Sequence, residues 1–235
     1  MNEGRFSVII PAAGVGKRTG EEVPKQWLEL GGEPMLARVL RIFEGLEGIG
    51  SVVVALNADE LEERSKQILS YGLKLTLQFC AGGRRRQNTV ASALETLAVE
   101  DHDIVVIHDA ARPFASKGLV KAVVAKAQEG QAAIAATPVT DTIKEVDRVG
   151  WVLNTPRRSF MWQAQTPQAV RAGILRRGLA LAAQREIELT DDAIAAELMG
   201  FRVAVVSGEE GNMKITTKRD LEFARFLVER GDLKD

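Results

Sequence analysis

Short apolar segments alternate with helix-like segments along the first 140 residues, and this alternation constrains the fold more than any other feature. The apolar segments predict five strands, at Phe6–Pro11, Ser51–Leu56, Leu73–Phe79, Ile104–Ile107 and Ala132–Thr137. The segments between them carry helical spacing over 34–46, 59–70, 87–97 and 117–128. Nearly all-apolar strands separated by helices indicate a parallel sheet covered on both faces. The sequence therefore predicts a doubly wound, mostly parallel α/β fold of Rossmann-like type.

The pattern changes near Asp141. Thr142–Val146 and Trp151–Asn154 are typical of a hairpin that turns at residues 147–150, so we expect a protruding β-arm at about 140–160. Such an arm serves dimerisation or is a simple excursion on one monomer. The remaining segments predict helices at Ala172–Gln184, Asp191–Leu198 and Arg219–Arg230 and strands at Arg202–Val206 and Met213–Thr216, with Thr190 and Thr217 as N-caps.

Composition narrows the class of protein. The 235 residues fit one domain, 1–235, and 46% hydrophobic residues supply a full core. A formal charge of −1 argues against a nucleic-acid partner, and no apolar run is long enough to span a membrane. The single cysteine, Cys80, predicts a buried structural thiol, and no Cys/His cluster offers a zinc site. Without a recognisable export signal, the expected location is cytoplasmic.

The loop after the first predicted strand is the strongest functional signal. Gly14 and Gly16 let backbone N–H groups approach a phosphate closely, and Lys17, Arg18 and Lys25 supply cations. Alone, this pattern also fits a tight turn with a solvated basic flank. The Gly-Lys-Ser/Thr ending of a P-loop is missing. A dinucleotide fingerprint is disfavoured because Thr19 stands at the position of its third glycine.

An ordered set of motifs makes the interpretation specific. Residues 11–18 read Pro-Ala-Ala-Gly-Val-Gly-Lys-Arg, and the set continues with Pro24-Lys-Gln26, His108-Asp-Ala-Ala-Arg-Pro113, Asp141-Thr142, Thr166-Pro-Gln168, Thr190-Asp191 and Asn212-Met-Lys214. Together they resemble the 2-C-methyl-D-erythritol 4-phosphate cytidylyltransferases from Val8 to about Leu227. The resemblance implies a nucleotidyltransferase fold and transfer of CMP from CTP to methylerythritol phosphate with Mg²⁺, in non-mevalonate isoprenoid synthesis.

The resemblance also implies roles for individual residues. The acceptor phosphate attacks the α-phosphorus and pyrophosphate leaves in line, so catalysis rests on positioning and fixed cations. The implied catalytic residues are Arg18, Lys25, Arg158 and Lys214. Arg18 and Lys25 match cations at the α-phosphate, whereas Lys17 faces the outer phosphates or solvent. The implied nucleotide-binding residues are Pro11, Ala12, Ala13, Gly14, Gly16, Lys17, Gly83, Thr89 and Asp109.

Two positions depart from the family pattern. Thr89 replaces a serine and keeps its hydroxyl, and Arg84 stands where an acidic residue is common. We expect Arg84 and Arg85 to be solvated, and Arg86 to be structural or to face phosphate.

Asp109 follows the fourth predicted strand, and two interpretations of it stay open. Its carboxylate can orient Mg²⁺, directly or through water, or it can cap the following loop. Strand alternation turns the neighbouring His108 to the opposite face, so we expect a packed, hydrogen-bonded histidine rather than a general base.

The implied acceptor-binding residues are Arg112, Thr142 and Thr166, with Arg158 and Lys214 beside them. The resemblance implies that Arg158 and Thr166 reach into the partner subunit's site, so that activity requires a homodimer. Competing hypotheses are a ribitol-5-phosphate cytidylyltransferase, a sugar-1-phosphate nucleotidyltransferase, a silent nucleotide-binding subunit and a Rossmann dehydrogenase. The Ala110-Ala111 pair before Arg112 favours methylerythritol phosphate over ribitol phosphate as the acceptor.

Overall fold

A computed structural model describes residues 5–14 and 23–231. Its centre is a seven-stranded sheet in the order β11-β7-β10-β6-β1-β4-β5. These strands are β1 (Phe6–Pro11), β4 (Ile49–Leu56), β5 (Thr76–Ala81), β6 (Ile104–Ile107), β7 (Ala132–Pro138), β10 (Trp162–Arg171) and β11 (Ala204–Ser207). Two small hairpins lie outside the sheet: β2 (Glu29–Leu30) with β3 (Glu33–Pro34), and β8 (Glu145–Val146) with β9 (Val152–Asn154).

Helices cover the sheet, as the sequence predicts. They are α1 (Met35–Arg41), α2 (Leu61–Leu69), α3 (Arg86–Thr96), α4 (Lys117–Gly130), α5 (Ala172–Gln184), α6 (Ile194–Leu198) and α7 (Lys218–Glu229). Side chains alternate along β1, so Val8 and Ile10 belong to one apolar cluster and Ile9 to another. Both clusters are fully buried at these positions, which confirms a doubly wound α/β fold.

The sequence did not predict β10, the longest strand of the sheet. It lies between β6 and β7 and runs antiparallel to both, whereas the other strand pairs in this sheet are parallel. Residues 163–168 of this strand contain three glutamines and a proline, Pro167, after a cis peptide bond, which are atypical of a central strand. The ladder with β7 is interrupted between Ala164 and Gln168, so the strand tolerates the proline there.

Two local predictions near the C-terminus are wrong. Met213–Thr216 is not a strand: it has no regular secondary structure, and Ile215 N–H donates to the Ala111 carbonyl (2.8 Å). Thr190 is not an N-cap, because α6 begins only at Ile194. Thr217, in contrast, is confirmed as the cap of α7, where its hydroxyl accepts from Asp220 N–H.

The hairpin of β8 and β9 confirms the predicted arm, although its strands are shorter than expected. Asp147–Gly150 form the turn, and the Asp147 carboxylate accepts from the N–H groups of Val149 and Trp151. The arm carries a run of exposed apolar side chains, which are Ile143, Val146, Val149, Trp151, Val152 and Leu153. Within residues 5–14 and 23–231, no helix has the length and apolar character that a membrane crossing requires.

Candidate active site

A pocket of about 420 Å³ opens where β1 and β6 lie side by side. The chain continues from β1 to β4 and β5 on one side and then returns to β6 on the other. Such a switch point, at the carboxyl ends of parallel strands, is where ligands bind in open α/β sheets. The described residues that line the pocket are Pro11, Ala12, Ala13, Gly14, Lys25, Gln26, Gly83, Arg84, Arg85, Arg86, Thr89, Asp109, Ala110, Ala111 and Lys214.

The backbone that leaves β1 forms one wall of the pocket. Gln26, which is buried, donates from Nε2 to the carbonyls of Ala12 (2.8 Å) and Gly14 (3.0 Å). This amide fixes the turn after Pro11 across a gap of 12 to 14 residues. No role was predicted for Gln26 itself, although it belongs to the Pro24-Lys-Gln26 motif.

The loop between β5 and α3 forms the opposite wall. A Cβ atom on Gly82 would lie 2.2 Å from the Ala13 Cβ, so only glycine lets the two walls approach this closely. Thr89 is buried, and its hydroxyl accepts from Gly83 N–H (3.1 Å). The Thr89 hydroxyl therefore holds the glycine turn that faces the pocket. Arg84 and Arg85 are exposed at the pocket's rim, as expected.

Asp109 is the centre of a charge network at the pocket floor. Arg86 donates to Oδ1 from Nη2 (2.9 Å) and Nε (3.3 Å), and Lys214 Nζ lies 2.7 Å from Oδ2. Burial by itself would raise the pKa of Asp109, but the charges of Arg86 and Lys214 outweigh it and hold that pKa well below its usual range. Asp109 is therefore a carboxylate, and it is the anionic partner of Lys214.

Arg86 bridges Asp109 to a second carboxylate, Asp192, for which the sequence predicted no role. Its Nη1 donates to Asp192 Oδ1 at 2.7 Å. Burial opposes the charge on Arg86, but the two carboxylates outweigh it and raise the pKa of the guanidinium. The pKa of Asp192 is raised because burial outweighs the opposing effect of Arg86. Arg86 is therefore paired within its own chain rather than solvated, as expected.

His108, the residue before Asp109, is fully buried and does not line the pocket. Its Nε2 is 2.9 Å from the Arg112 carbonyl, which can only accept, so Nε2 carries the proton and Nδ1 accepts from the Thr166 hydroxyl (3.1 Å). The same hydroxyl accepts from Asp109 N–H (3.0 Å). Burial lowers the pKa of His108 to about 4, which confirms a packed, neutral histidine.

These contacts correct one prediction. Thr166 does not reach toward a partner subunit, because it is buried in its own chain and bonded to Asp109 and His108. Arg112 is also buried: its guanidinium donates to the carbonyls of Asn212 (2.6 Å) and Ala164 (3.4 Å) and lies 3.9 Å from Asp109. It braces the segment that carries Lys214.

The remaining predicted residues fall into three places. Lys25 lines the pocket and donates from Nζ to the Ile215 carbonyl (3.2 Å). Thr142 and Arg158 are exposed beside the arm and do not line the pocket; Arg158 Nη1 donates to the Thr140 carbonyl (2.6 Å). Gly16, Lys17 and Arg18 lie outside the described residues.

The donor set limits what metal the pocket can hold. Asp109 is the one carboxylate among the described lining residues, and nowhere in the described ranges do three Asp, Glu, His or Cys side chains cluster as a metal site. Both Asp109 oxygens already contact cations. These residues fit a Mg²⁺ ion that phosphates carry in, since Mg²⁺ needs only one or two protein carboxylates. They do not form an all-protein cage.

The fold and the pocket define a nucleotidyltransferase of the α/β class. The model of the 2-C-methyl-D-erythritol 4-phosphate cytidylyltransferase family (IspD) matches residues 6–230, and the chain belongs to that family. A curated relative of that name from Syntrophotalea carbinolica is 42% identical over 229 residues, 97% of this chain and 98% of the relative.

Solved structures agree with this assignment. A 4-diphosphocytidyl-2C-methyl-D-erythritol synthase from Anaerococcus prevotii superposes with a TM-score of 0.84 at 30% identity and covers 96% of each chain. A 2-C-methyl-D-erythritol 4-phosphate cytidylyltransferase from Thermus thermophilus gives a TM-score of 0.76 at 34% identity, covering 96% of this chain and 99% of that one.

Proposed function

We propose that this enzyme transfers CMP from CTP to 2-C-methyl-D-erythritol 4-phosphate, which gives CDP-methylerythritol and pyrophosphate for non-mevalonate isoprenoid synthesis. The observation that carries the proposal is the pocket itself. In a chain of this family, Arg86 and Lys214 contact one ionised carboxylate, and Lys25 lines the same pocket between two glycine-rich walls. An anionic substrate of the size of a nucleotide fits such a cationic cleft.

The arrangement favours catalysis by positioning and charge. An oxygen of the acceptor phosphate forms a bond to the α-phosphorus, and the bond to pyrophosphate breaks. Negative charge crowds the reaction centre, and fixed cations stabilise it without reorganising. Among the described cations of the pocket, Lys25 and Lys214 are those to which the resemblance assigns catalysis, and it adds Arg18. A phosphate nucleophile needs no general base, which agrees with a neutral His108 turned away from the pocket.

Mg²⁺ belongs to the proposal as an ion that arrives with the triphosphate. Asp109 would hold it, directly or through its waters, once Lys214 turns from the carboxylate toward phosphate oxygens. When bound, the ion would neutralise charge on the leaving pyrophosphate. The chain's own residues then supply the remaining positive charge.

We further propose a homodimer in which the arm presents Arg158 and Thr142 to the partner's pocket. Both residues are exposed and lie outside the pocket of their own chain, which supports a role elsewhere. The apolar arm supports it as well, because contiguous exposed apolar surface marks interaction sites. The cytoplasmic location stays a prediction from the sequence.

Pyrophosphate release from the purified protein tests the reaction. CTP, UTP, ATP and GTP are each offered with Mg²⁺ and either methylerythritol phosphate or ribitol 5-phosphate. We expect release only with CTP and methylerythritol phosphate. Turnover with ribitol phosphate instead would move the acceptor but keep the mechanism, and no release with any pair would contradict the proposal.

A matched pair of lysine variants tests the role of Lys25. Removing one transition-state cation costs about 100- to 1,000-fold in kcat, by analogy with oxyanion donors, so Lys25→Gln should lose that much. Lys121→Gln removes an exposed lysine of α4 that does not line the pocket and should keep wild-type kcat. Equal rates in the two variants would exclude Lys25 from catalysis.

A further inference from the structure

Asp192 is a buried carboxylate to which the proposed reaction assigns no role. It is 2% exposed, and it lies in the loop before α6, outside the lining of the pocket. Its Oδ1 accepts from Arg86, while Oδ2 is buried and has no hydrogen-bond partner among the described residues. Burying a carboxylate is costly, and a single ion pair rarely repays that cost. A structural role for Asp192 alone therefore does not explain its position.

The geometry of Arg86 connects Asp192 to the pocket. A guanidinium is planar, so fixing one nitrogen fixes the direction of the others. Asp192 holds Nη1, and this turns the edge with Nη2 and Nε toward Asp109. Asp109 in turn holds Lys214 at 2.7 Å. Charges of alternating sign thus run from Asp192 through Arg86 and Asp109 to Lys214.

The loop that carries Asp192 is held firmly from two sides. Gln168 of β10 accepts from the N–H groups of Asp192 (2.9 Å) and Ala193 (3.1 Å). Gln87, next to Arg86, accepts from Leu189 N–H (2.9 Å) and donates to the Ile187 carbonyl (3.0 Å). Arg86 and Gln87, consecutive residues at the start of α3, therefore both bond to this loop and hold Asp192 in a fixed position.

We infer that Asp192 is a positioning residue, which orients Arg86 and through it fixes the Asp109–Lys214 pair where CTP binds. This inference rests on the proposed function and names a residue beyond the pocket that the reaction needs. Asp192 touches neither substrate in this arrangement. Its effect travels through one guanidinium, and that route makes it testable.

The experiment compares Asp192→Asn with Asp191→Asn, a matched loss of the neighbouring carboxylate, which caps Ile194 N–H instead. Misplacing catalytic groups by about 1 Å costs on the order of 100-fold, so Asp192→Asn should lower kcat/KM for CTP by about 10- to 100-fold. Asp191→Asn should stay within about twofold of wild type. An Asp192→Asn enzyme within twofold of wild type would overturn the inference.

A double-mutant cycle separates positioning from general destabilisation. Arg86→Lys keeps the charge but loses the fork that joins both carboxylates. If Asp192 acts through Arg86, the double variant should have a kcat/KM for CTP within about twofold of that of Arg86→Lys alone. If the kcat/KM losses of the two single variants multiply in the double variant, Asp192 acts independently of Arg86, and the inference is overturned. Should Asp192→Asn fail to fold, Asp192→Ser takes its place in the same cycle.

Calorimetric binding of CTP distinguishes failure of this inference from failure of the proposed function. If wild type, Asp191→Asn and Asp192→Asn all turn over at the same rate, the inference about Asp192 is wrong while the proposed reaction stands. If wild type binds CTP without turnover, the proposed reaction is wrong, and a tenfold rise of Kd in Asp192→Asn still supports the inference. A Kd of Asp192→Asn for CTP within twofold of the wild-type Kd overturns the inference. A wild-type protein that binds no CTP overturns it as well.

Discussion

At the end of β6, a neutral imidazole and an ionised carboxylate stand side by side, each held by a different kind of interaction. His108 is fixed by directional hydrogen bonds to Thr166 and Arg112, and Asp109 by ion pairs to Arg86 and Lys214. Strand alternation predicts the opposite orientations, because it depends only on neighbouring residues. The partners Asp192 and Gln26 could not be predicted this way, because their contacts span 106 and 12 to 14 residues.

The buried His108 predicts an acid-dependent loss of stability. Its pKa is about 4 in the folded state, against about 6.5 in an unfolded chain. The unfolded state therefore takes up the proton first, and the free energy of unfolding falls as pH drops from about 6.5 to about 4. The full difference amounts to about 3 kcal/mol, at roughly 1.4 kcal/mol per pKa unit.

Urea unfolding at pH 7.0, 6.0, 5.0 and 4.5 measures this contribution. Over this pH range the free energy of unfolding of His108→Gln should fall less steeply than that of wild type, whatever its value at pH 7. The chain has one other histidine, His102, which is exposed. His102→Gln should keep the steep wild-type loss. Identical slopes in wild type and His108→Gln would mean that His108 is not buried as a neutral base.

At the scale of elements, periodicity locates the parallel strands and their helices well. Phe6–Pro11, Ile104–Ile107 and Ala172–Gln184 match their predicted bounds, and the other parallel strands shift by a few residues. The errors fall where partners from distant parts of the chain decide the conformation. Gln163–Gln168 becomes part of a strand because β7 pairs with both of its ends and β6 pairs with Gln168. Met213–Thr216 has no neighbouring strand to pair with, although three of its four residues are apolar or β-branched.

The N-terminus of α7 offers a prediction at this scale. Thr217 and Asp220 form a reciprocal capping box, in which each side chain accepts from the other residue's N–H. Thr217→Ala should lower the free energy of unfolding by about 1 kcal/mol. Thr217→Ser keeps the accepting oxygen and should stay within about 0.5 kcal/mol of wild type. Thermal or urea unfolding checks both, and equal stability of all three proteins would show that the cap contributes nothing.

At the scale of the whole molecule, the apolar arm is the feature least compatible with a free monomer. Trp151 is 74% exposed and Leu153 is 64% exposed, next to other apolar side chains of the same hairpin. The sequence predicted the arm from the hairpin pattern, but it could not show that Thr166, beyond the arm, turns back into its own chain.

Breaking the arm's apolar surface should therefore break the proposed dimer. We expect Trp151→Glu with Leu153→Glu to elute as a monomer in size-exclusion chromatography with light scattering, while wild type elutes as a dimer. Phe223→Glu places the same charge on α7 at a phenylalanine that is 50% exposed, and it should remain dimeric. A dimeric arm variant would show that the subunits associate elsewhere.

Mixed subunits test whether the pockets are shared. A Lys25→Gln subunit paired with an Arg158→Ala subunit has one pocket with both residues intact, if Arg158 acts in the partner's site. Random pairing should then restore about a quarter of wild-type activity from two nearly inactive proteins. No recovery after subunit exchange would place Arg158 in its own chain's reaction or outside it.

The central position of β10 has a consequence for how the polypeptide reaches its final form during synthesis. Until β10 has left the ribosome, β6 has no hydrogen-bonded neighbour on its β7 side, and β7 has nothing to join it to the rest of the sheet. The hydroxyl that receives Asp109 N–H lies on this same strand. Nascent chains that end before Thr166 should therefore hold a half-formed sheet with an open edge, and this is the stage at which chaperones would be needed most.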